Sequence, residues 1–332
     1  MEIKNIIDII KKLKDDLILF ITNNLNYRMS RENPDGIGSL SMNRLEGSTT
    51  GEYSSTLGHN TIASGEAAHA EGGSIDPIYN EPIPSQSWHF SQKNPVEINV
   101  DVTVYGTEAK GYASHAEGVV TAAVGGASHS EGCQTLAYDD YSHAEGDRTI
   151  AVGVASHAEG TLSMAIRHGA HAEGVSTKAN GVAAHAEGCQ TIADSQSAHA
   201  EGEGTEATSM CAHAEGYHSK ADGHSSHAEG YYTEASGMGA HAEGYKTIAS
   251  GGQHVEGRYN LVDEDLKYLH IVGNGEQDYD TGVVTRSNAY TLDEEGNGWY
   301  AGKVEATNGV KIGNAVLTYD STLKALKIDF VS

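Results

Sequence analysis

Large apolar side chains are scarce in this chain. Of 332 residues, 3 are Phe and 2 are Trp. Such a composition cannot fill a thick globular interior, but it can fill a thin one lined with Ala, Ser and Thr. Proline is scarce too, at 5 residues, which excludes collagen and proline-rich linkers even though Gly reaches 40. Basic residues are in deficit: 21 Lys and Arg stand against 46 Asp and Glu, a formal net charge of −25. That argues against sequence-independent binding to nucleic acid or an anionic membrane, since both need cations to displace counterions. Cysteine is limited to Cys133, Cys189 and Cys211. Cys133 and Cys189 occupy equivalent places four repeats apart, roughly 19 Å at ~4.8 Å per stacked turn, too far for a disulfide. All three read as free thiols. No run reaches the ~18 apolar residues of a membrane span, and the opening stretch MEIKNIIDIIKKLKDDLILFITNN carries no small-residue cleavage site.

Histidine is the abundant exception, with 18 residues. Twelve of them sit in a repeat, His-x-Glu-Gly, whose period is 14 from His115 to His241. His69 precedes this series and His254 follows it at a spacing of 13. Protonating those 12 would bring the net charge from −25 to −13. One repeat reads small-His-Ala-Glu-Gly-x-x-Thr-x-Ala-x-Gly-x-x. The Ala of the second half is present in all eleven copies from Ala109 to Ala249. A period this short marks a solenoid.

Each half-repeat alternates with period 2, so each half predicts a short strand. In Ser-His-Ala-Glu-Gly the small residues share one face, and His and Glu share the other. In Thr-x-Ala-x-Gly the x residues vary freely, as a solvent face does. The glycines are expected to supply the corners, where φ > 0 is needed. The coil is then so narrow that only Ala, Ser and Thr fit inside.

The constancy of His and Glu needs a separate cause, because both point away from the interior. An outward face that never drifts always meets the same surface, and the simplest such surface is another copy of the chain. The expected interface comprises His115, Glu117, His143, Glu145, His157, Glu159, His171, Glu173, His185, Glu187, His199, Glu201, His213, Glu215, His227, Glu229, His241 and Glu243. A ladder of His–Glu hydrogen bonds between subunits is the plain reading. The alternative is a metal ion at one or more levels, with three imidazoles meeting on a threefold axis. Otherwise no cofactor is implied. A His paired to Glu would have a raised pKa, with its stabilisation lost as the pH rises. Neutral donor imidazoles would instead make acid destabilising.

This repeat resembles the head domain of trimeric autotransporter adhesins, in which 14-residue repeats build a left-handed parallel β-roll in a homotrimer. There the outward strand positions are usually aliphatic, whereas here they are His and Glu. The His-Ala-Glu-Gly variant is similar to that of phage and prophage tail fibres from Gram-positive hosts. Two flanks carry the likeness further: GIGSLSMNRLEGSTTGEYSSTLGHNTIASG (Gly36 to Gly65) resembles the entry to such fibres. GRYNLVDEDLKYLHIVGNG (Gly257 to Gly275) and RSNAYTLDEEGNGWYAGKV (Arg286 to Val304) resemble their exit. In related fibres that exit leads to a self-cleaving chaperone, which the 28 residues after Val304 are too few to form. The resemblance implies a virion tail component that attaches a phage or phage-derived particle to a bacterial surface receptor, with a glycan as the candidate. The N-terminus would join a tail or baseplate protein. A cell-surface trimeric adhesin and a fibre-borne polysaccharide-degrading enzyme are the alternatives.

Five regions follow. Residues 1–30 are expected to be a coiled-coil stem, with Ile3, Ile10, Leu17 and Asn24 at a and Ile6, Leu13, Phe20 and Tyr27 at d. Residues 31–72 hold the entry and the first roll turns. Residues 73–104 are an insertion with four of the five prolines, whose end VEINVDVTVY alternates like a strand. Its aromatic group, Tyr79, Trp88, His89 and Phe90, is the candidate receptor contact, against the plainer reading of a small core of its own. Residues 105–257 form the shaft. Residues 258–332 form a β-rich tip, with hairpin turns at Asn297-Gly298 and Asp320-Ser321. No zincin, nucleophile-elbow, P-loop or dinucleotide motif is present, and catalysis needs one differentiated constellation rather than twelve equal ones. Carboxylates cluster at Asp263, Glu264 and Asp265 and at Asp293, Glu294 and Glu295. They read as acidic turns or, alternatively, as a polysaccharide-cleaving pair.

Overall fold

The computed structural model describes residues 27–30, 39–44, 50–73, 86–92, 98–104, 106–302, 310–312, 315–320 and 325–330. They form an all-β chain built on a parallel β-solenoid of about 14 turns. The heptads from Ile3 to Asn24 lie outside the described residues. Tyr27 does not continue them: Tyr27–Ser30 is a strand, antiparallel to Ser39–Arg44. The stem expected over residues 1–30 therefore does not include Tyr27–Ser30.

Each turn holds a five-residue strand, such as His157–Thr161, and a two-residue strand, such as Met164–Ala165. The second half is thus shorter than the alternation predicts. Every strand pairs in register with its own copy one turn away: His143 with His157 and His157 with His171, and likewise Ile150 with Met164. The insertion does not disturb this. His69 pairs directly with His115, and Ile62 with Glu108, so the extra residues leave the stack at one corner and return to it.

The interior is as thin as the composition requires. Alanines such as Ala144, Ala158 and Ala172 from one strand, and Ala151, Ala165 and Ala179 from the other, have no exposure and form one continuous core. Buried Ser hydroxyls at the corners donate to a carbonyl three residues back, as from Ser128 to Gly125 at 2.7 Å.

The corners differ from expectation. The Gly of His-Ala-Glu-Gly does need its freedom: Gly160 has φ +99°, and a Cβ there would meet the Gly174 carbonyl oxygen at 2.1 Å. The left-handed corners themselves are mostly not glycine. In one turn they are Arg148 and Ala155, at φ 57° and 54°. A left-handed non-glycine residue costs about 1–2 kcal/mol. Hydrogen bonds to the neighbouring turn hold it there, from Arg148 N–H to Cys133 C=O at 2.8 Å and from Ala155 N–H to Asp140 C=O at 2.9 Å.

The variable face of the second strand is not uniformly solvent. Ala122, Leu136, Val152 and Ile166 are buried, whereas Lys178, one turn further on, is exposed. The cause lies in the insertion. Its strands Gln86–Gln92 and Ile98–Val104 form an antiparallel hairpin, and Val100, Val102 and Val104 are buried in one cluster with Val120, Leu136, Val152 and Ile166. The first turns therefore carry apolar side chains where later ones carry Lys, Asn and Asp.

At the far end, His254–Arg258 pairs in parallel with Tyr268–Asn274, which pairs antiparallel with Asn288–Asp293 and then Gly298–Tyr300. The expected turn at Asn297-Gly298 lies earlier. Asp293 to Asn297 makes the turn, with Gly296 at φ 84°, and Gly298 already belongs to the strand. Ala315–Asp320 and Ala325–Phe330 form the hairpin expected around Asp320-Ser321.

Two substitutions separate the kinds of corner. Gly160→Ala is expected to cost about 2 kcal/mol or more, because φ and the Gly174 carbonyl both oppose a Cβ. Ala155→Gly is expected to change stability by less than about 1 kcal/mol, since relief of strain offsets the entropy of glycine. Thermal denaturation followed by circular dichroism checks both, and equal losses would contradict this account.

Candidate functional site

In-register stacking turns the repeated His-x-Glu into two parallel rows. Imidazoles from His69 through His254 form a continuous column, and it gains a rung outside the repeat at His270. Most neighbouring rings lie 4.6–4.8 Å apart, and between His185 and His227 they are within 6° of parallel. His270 escaped the sequence pattern because Val272 replaces its Glu. Its Nε2 instead meets Glu256 of the preceding turn at 3.2 Å.

Both rows face outward, as expected, and the side chains are about half covered. Within one strand, each Glu leans toward its own His. The Nε2–Oε2 separation is 3.7 Å for His115–Glu117, 3.6 Å for His143–Glu145 and His157–Glu159, and 3.8 Å for His171–Glu173 and His185–Glu187. It is 3.9 Å for His199–Glu201, 3.5 Å for His213–Glu215 and 3.7 Å for His227–Glu229. At the end of the series Glu243 turns to His254 instead, at 3.5 Å. These gaps exceed hydrogen-bond length. The Nε2 atoms from His115 to His241 are nevertheless shut off from solvent and have no hydrogen-bond partner among the described residues. A buried polar atom without a partner costs about 1–3 kcal/mol. One chain alone therefore leaves this face chemically incomplete.

Six of the imidazoles favour the neutral form. His115, His129, His143, His171, His199 and His213 all have pKa values lowered from the ordinary 6.5, first by burial and then by the neighbouring histidines. The glutamates on the same and adjacent strands oppose this shift without reversing it.

The metal alternative meets a spacing problem within one chain. His213, Glu215 and His227 place ligand atoms within 4.8 Å of one another, as do the next two triplets up to His254. A tetrahedral ion holds its ligands at ~2.1 Å, hence roughly 3.4 Å apart. Rings stacked at 4.6–4.7 Å must close up before they can share an ion.

The insertion's aromatic group is divided. Trp88, His89 and Phe90 lie on Gln86–Gln92, opposite Val102, Asp101 and Val100. Tyr79 lies outside the described residues. The acidic clusters are structural at their buried members. Asp263 Oδ2 accepts hydrogen bonds from Gln253 Nε2 and the Tyr268 N–H, both at 2.7 Å. Asp293 accepts from the Asn297 N–H at 2.7 Å and from its side chain at 3.0 Å. These bonds, the side-chain one foremost, hold Asp293 below the usual carboxylate range, so it stays ionised and is unsuited to donate a proton.

Two further features were not anticipated. Tyr217, Tyr231 and Tyr245 stack at 5.0 and 4.8 Å, with Lys246 Nζ 5.6–5.7 Å from the rings of Tyr232, Tyr245 and Tyr259. Tyr directly after His-Ala-Glu-Gly in three consecutive repeats was the available signal. The second is a half-open cavity of about 700 Å³ at the end of the roll, bordered by the Leu261–Asp265 loop, Tyr268 and Trp299. Comparison with protein-family models and with curated proteins gives no match.

Stability should follow the imidazoles. For the six shifted ones the unfolded pKa is near 6.5 and the folded pKa lies lower, so the unfolded chain binds more protons in acid. The melting temperature is expected to be level above about pH 7 and to fall as the pH drops below ~6.5. Replacing His171 and His199 together by Gln should flatten the fall. Thermal melts between pH 5 and pH 8 check this, and a level profile in the unmodified chain would refute it.

Proposed function

We propose that this chain is a structural, receptor-facing fibre of a phage or phage-derived particle. It would assemble as a homotrimer of left-handed β-rolls, with an N-terminal coiled-coil stem toward the tail or baseplate and a small β tip at the other end. It would act outside the host cell, at a bacterial surface receptor. The observation that carries the reading is the His–Glu face. Nearly every turn repeats it, it points away from the interior, and its Nε2 atoms from His115 to His241 find no hydrogen-bond partner among the described residues. The second-strand face behaves differently, varying among acidic, apolar and basic side chains such as Glu108, Leu136, Lys178 and Ile192 along the roll. A neighbouring copy laid along the His–Glu face would strip water from the carboxylates. The neutral imidazoles would then donate from Nε2 to carboxylates of the facing copy.

The resemblance to phage fibres in the repeat and both flanks supports attachment over other uses of a solenoid. The enzymatic alternative has less support, since Asp263 and Asp293 are committed to turns. The cell-surface adhesin shares the trimer and differs in its anchor.

Light scattering of the purified chain is expected to give a mass near 105 kDa, three times 35.0 kDa. A chelator should leave that mass unchanged if His–Glu bonds hold the copies together. A 35 kDa monomer would overturn the assembly. Fluorescently labelled protein should also coat cells of some Gram-positive bacteria, and failure across a broad panel would overturn the attachment reading.

A further inference from the structure

The cavity at the end of the roll differs from the rest of the surface. Along the solenoid the outward rows repeat from turn to turn. Here the Leu261–Asp265 loop and Trp299, on the antiparallel strand Gly298–Tyr300, line one cavity. Trp299 is 56% exposed, although its strand partner Thr291 is buried. A large indole left in water beside a recess is an unpartnered apolar plate.

The opposite wall is rigid and acidic. Asp263 is fixed by Gln253 and the Tyr268 N–H. Leu261 is held by Asn288, whose Oδ1 accepts the Leu261 N–H at 2.8 Å. Asn260 fastens the same loop to the roll through the backbone of Ile248. Glu264 and Asp265, between these anchors, are exposed, and no Lys or Arg lines the cavity among the described residues. The carboxylates and the indole together favour a ligand that supplies hydrogen-bond donors, carries no net negative charge and presents a flat apolar face. Phosphates, nucleotides and uronic acids fail the second condition. A pyranose meets all three, because its C–H face stacks on an aromatic ring while its hydroxyls donate at the rim. The volume, about 700 Å³, suits one or two sugar rings.

We propose that this cavity binds a neutral or amino-bearing glycan, with one pyranose stacked on Trp299 and its hydroxyls donating to the carboxylates of Asp263, Glu264 and Asp265. The proposal rests on the attachment reading only in naming a glycan as receptor, and its test is separate. The full chain is applied to an array of neutral chito- and malto-oligosaccharides, deacetylated chito-oligosaccharides and oligogalacturonates. The best probe is then titrated calorimetrically. A neutral or amino-bearing probe should bind. W299A should weaken binding at least about tenfold, W299F by less than about fivefold, and the double variant E264Q/D265N by about threefold or more. Y141A, at an exposed position of the shaft, should leave binding unchanged, and light scattering and circular dichroism should match for all variants.

Binding of oligogalacturonates alone, binding indifferent to W299A, or no binding at all would overturn the proposal. So would a drop in assembled mass in W299A, which would make Trp299 a contact between copies. The attachment reading is judged on whole cells. If W299A coats them as well as the unmodified chain, the cavity is not the receptor site and attachment stands. If neither coats them, attachment fails while the array result still decides the cavity.

Discussion

In-register parallel stacking is the constraint on which this molecule depends. Once His143 pairs with His157 and His157 with His171, each position of the turn lies directly over its own copy. Alanine stacks on alanine inside, glycine on glycine at the strand ends and imidazole on imidazole outside. A side chain is thus chosen partly for how well it tolerates itself one rung away. Ala, Ser and Thr tolerate it because they are small. Gly160 does because its neighbour's carbonyl takes up the space a Cβ would need.

The same constraint explains the outer face. A column of charged imidazoles less than 5 Å apart would repel itself, and burial adds a desolvation cost to each charge. The neutral ring avoids both and gains stacking, and the lowered pKa values express that balance. The carboxylate row has no such escape, since the lone Glu replacement near the end, Val272, lies outside the repeat. Its charge makes a passive, solvent-facing role hard to reconcile with so regular a placement. A facing surface rich in N–H donors reconciles the two.

Much of this was legible in the sequence. The period located each five-residue strand, the size of the inward residues foretold the thin core, and VEINVDVTVY marked the inserted strand Ile98–Val104. What escaped depended on relations the repeat does not encode. Arg148 and Ala155 look like ordinary corner residues, and only hydrogen bonds from the adjacent turn make their left-handed conformation tenable. Leu136 and Ile166 looked like tolerated exposure until the hairpin valines covered that flank. Trp299 and the Leu261–Asp265 loop lie far apart in sequence, so no local pattern could predict the recess between them. Tyr27 fitted a heptad by spacing, yet pairing with Met42 placed it in a strand.

The excursion between Gly73 and Gly106 has a meaning beyond the flank it covers. The stack crosses it without losing a rung, since His69 lies against His115 as closely in register as any later pair. Lengthening a loop costs only about 0.6 kcal/mol per doubling once its ends are already held together. A corner of this roll is therefore a splice point, where new surface can be acquired while the scaffold keeps its geometry. Reach, set by the number of turns, and recognition, set by what a corner carries, can then vary independently under selection.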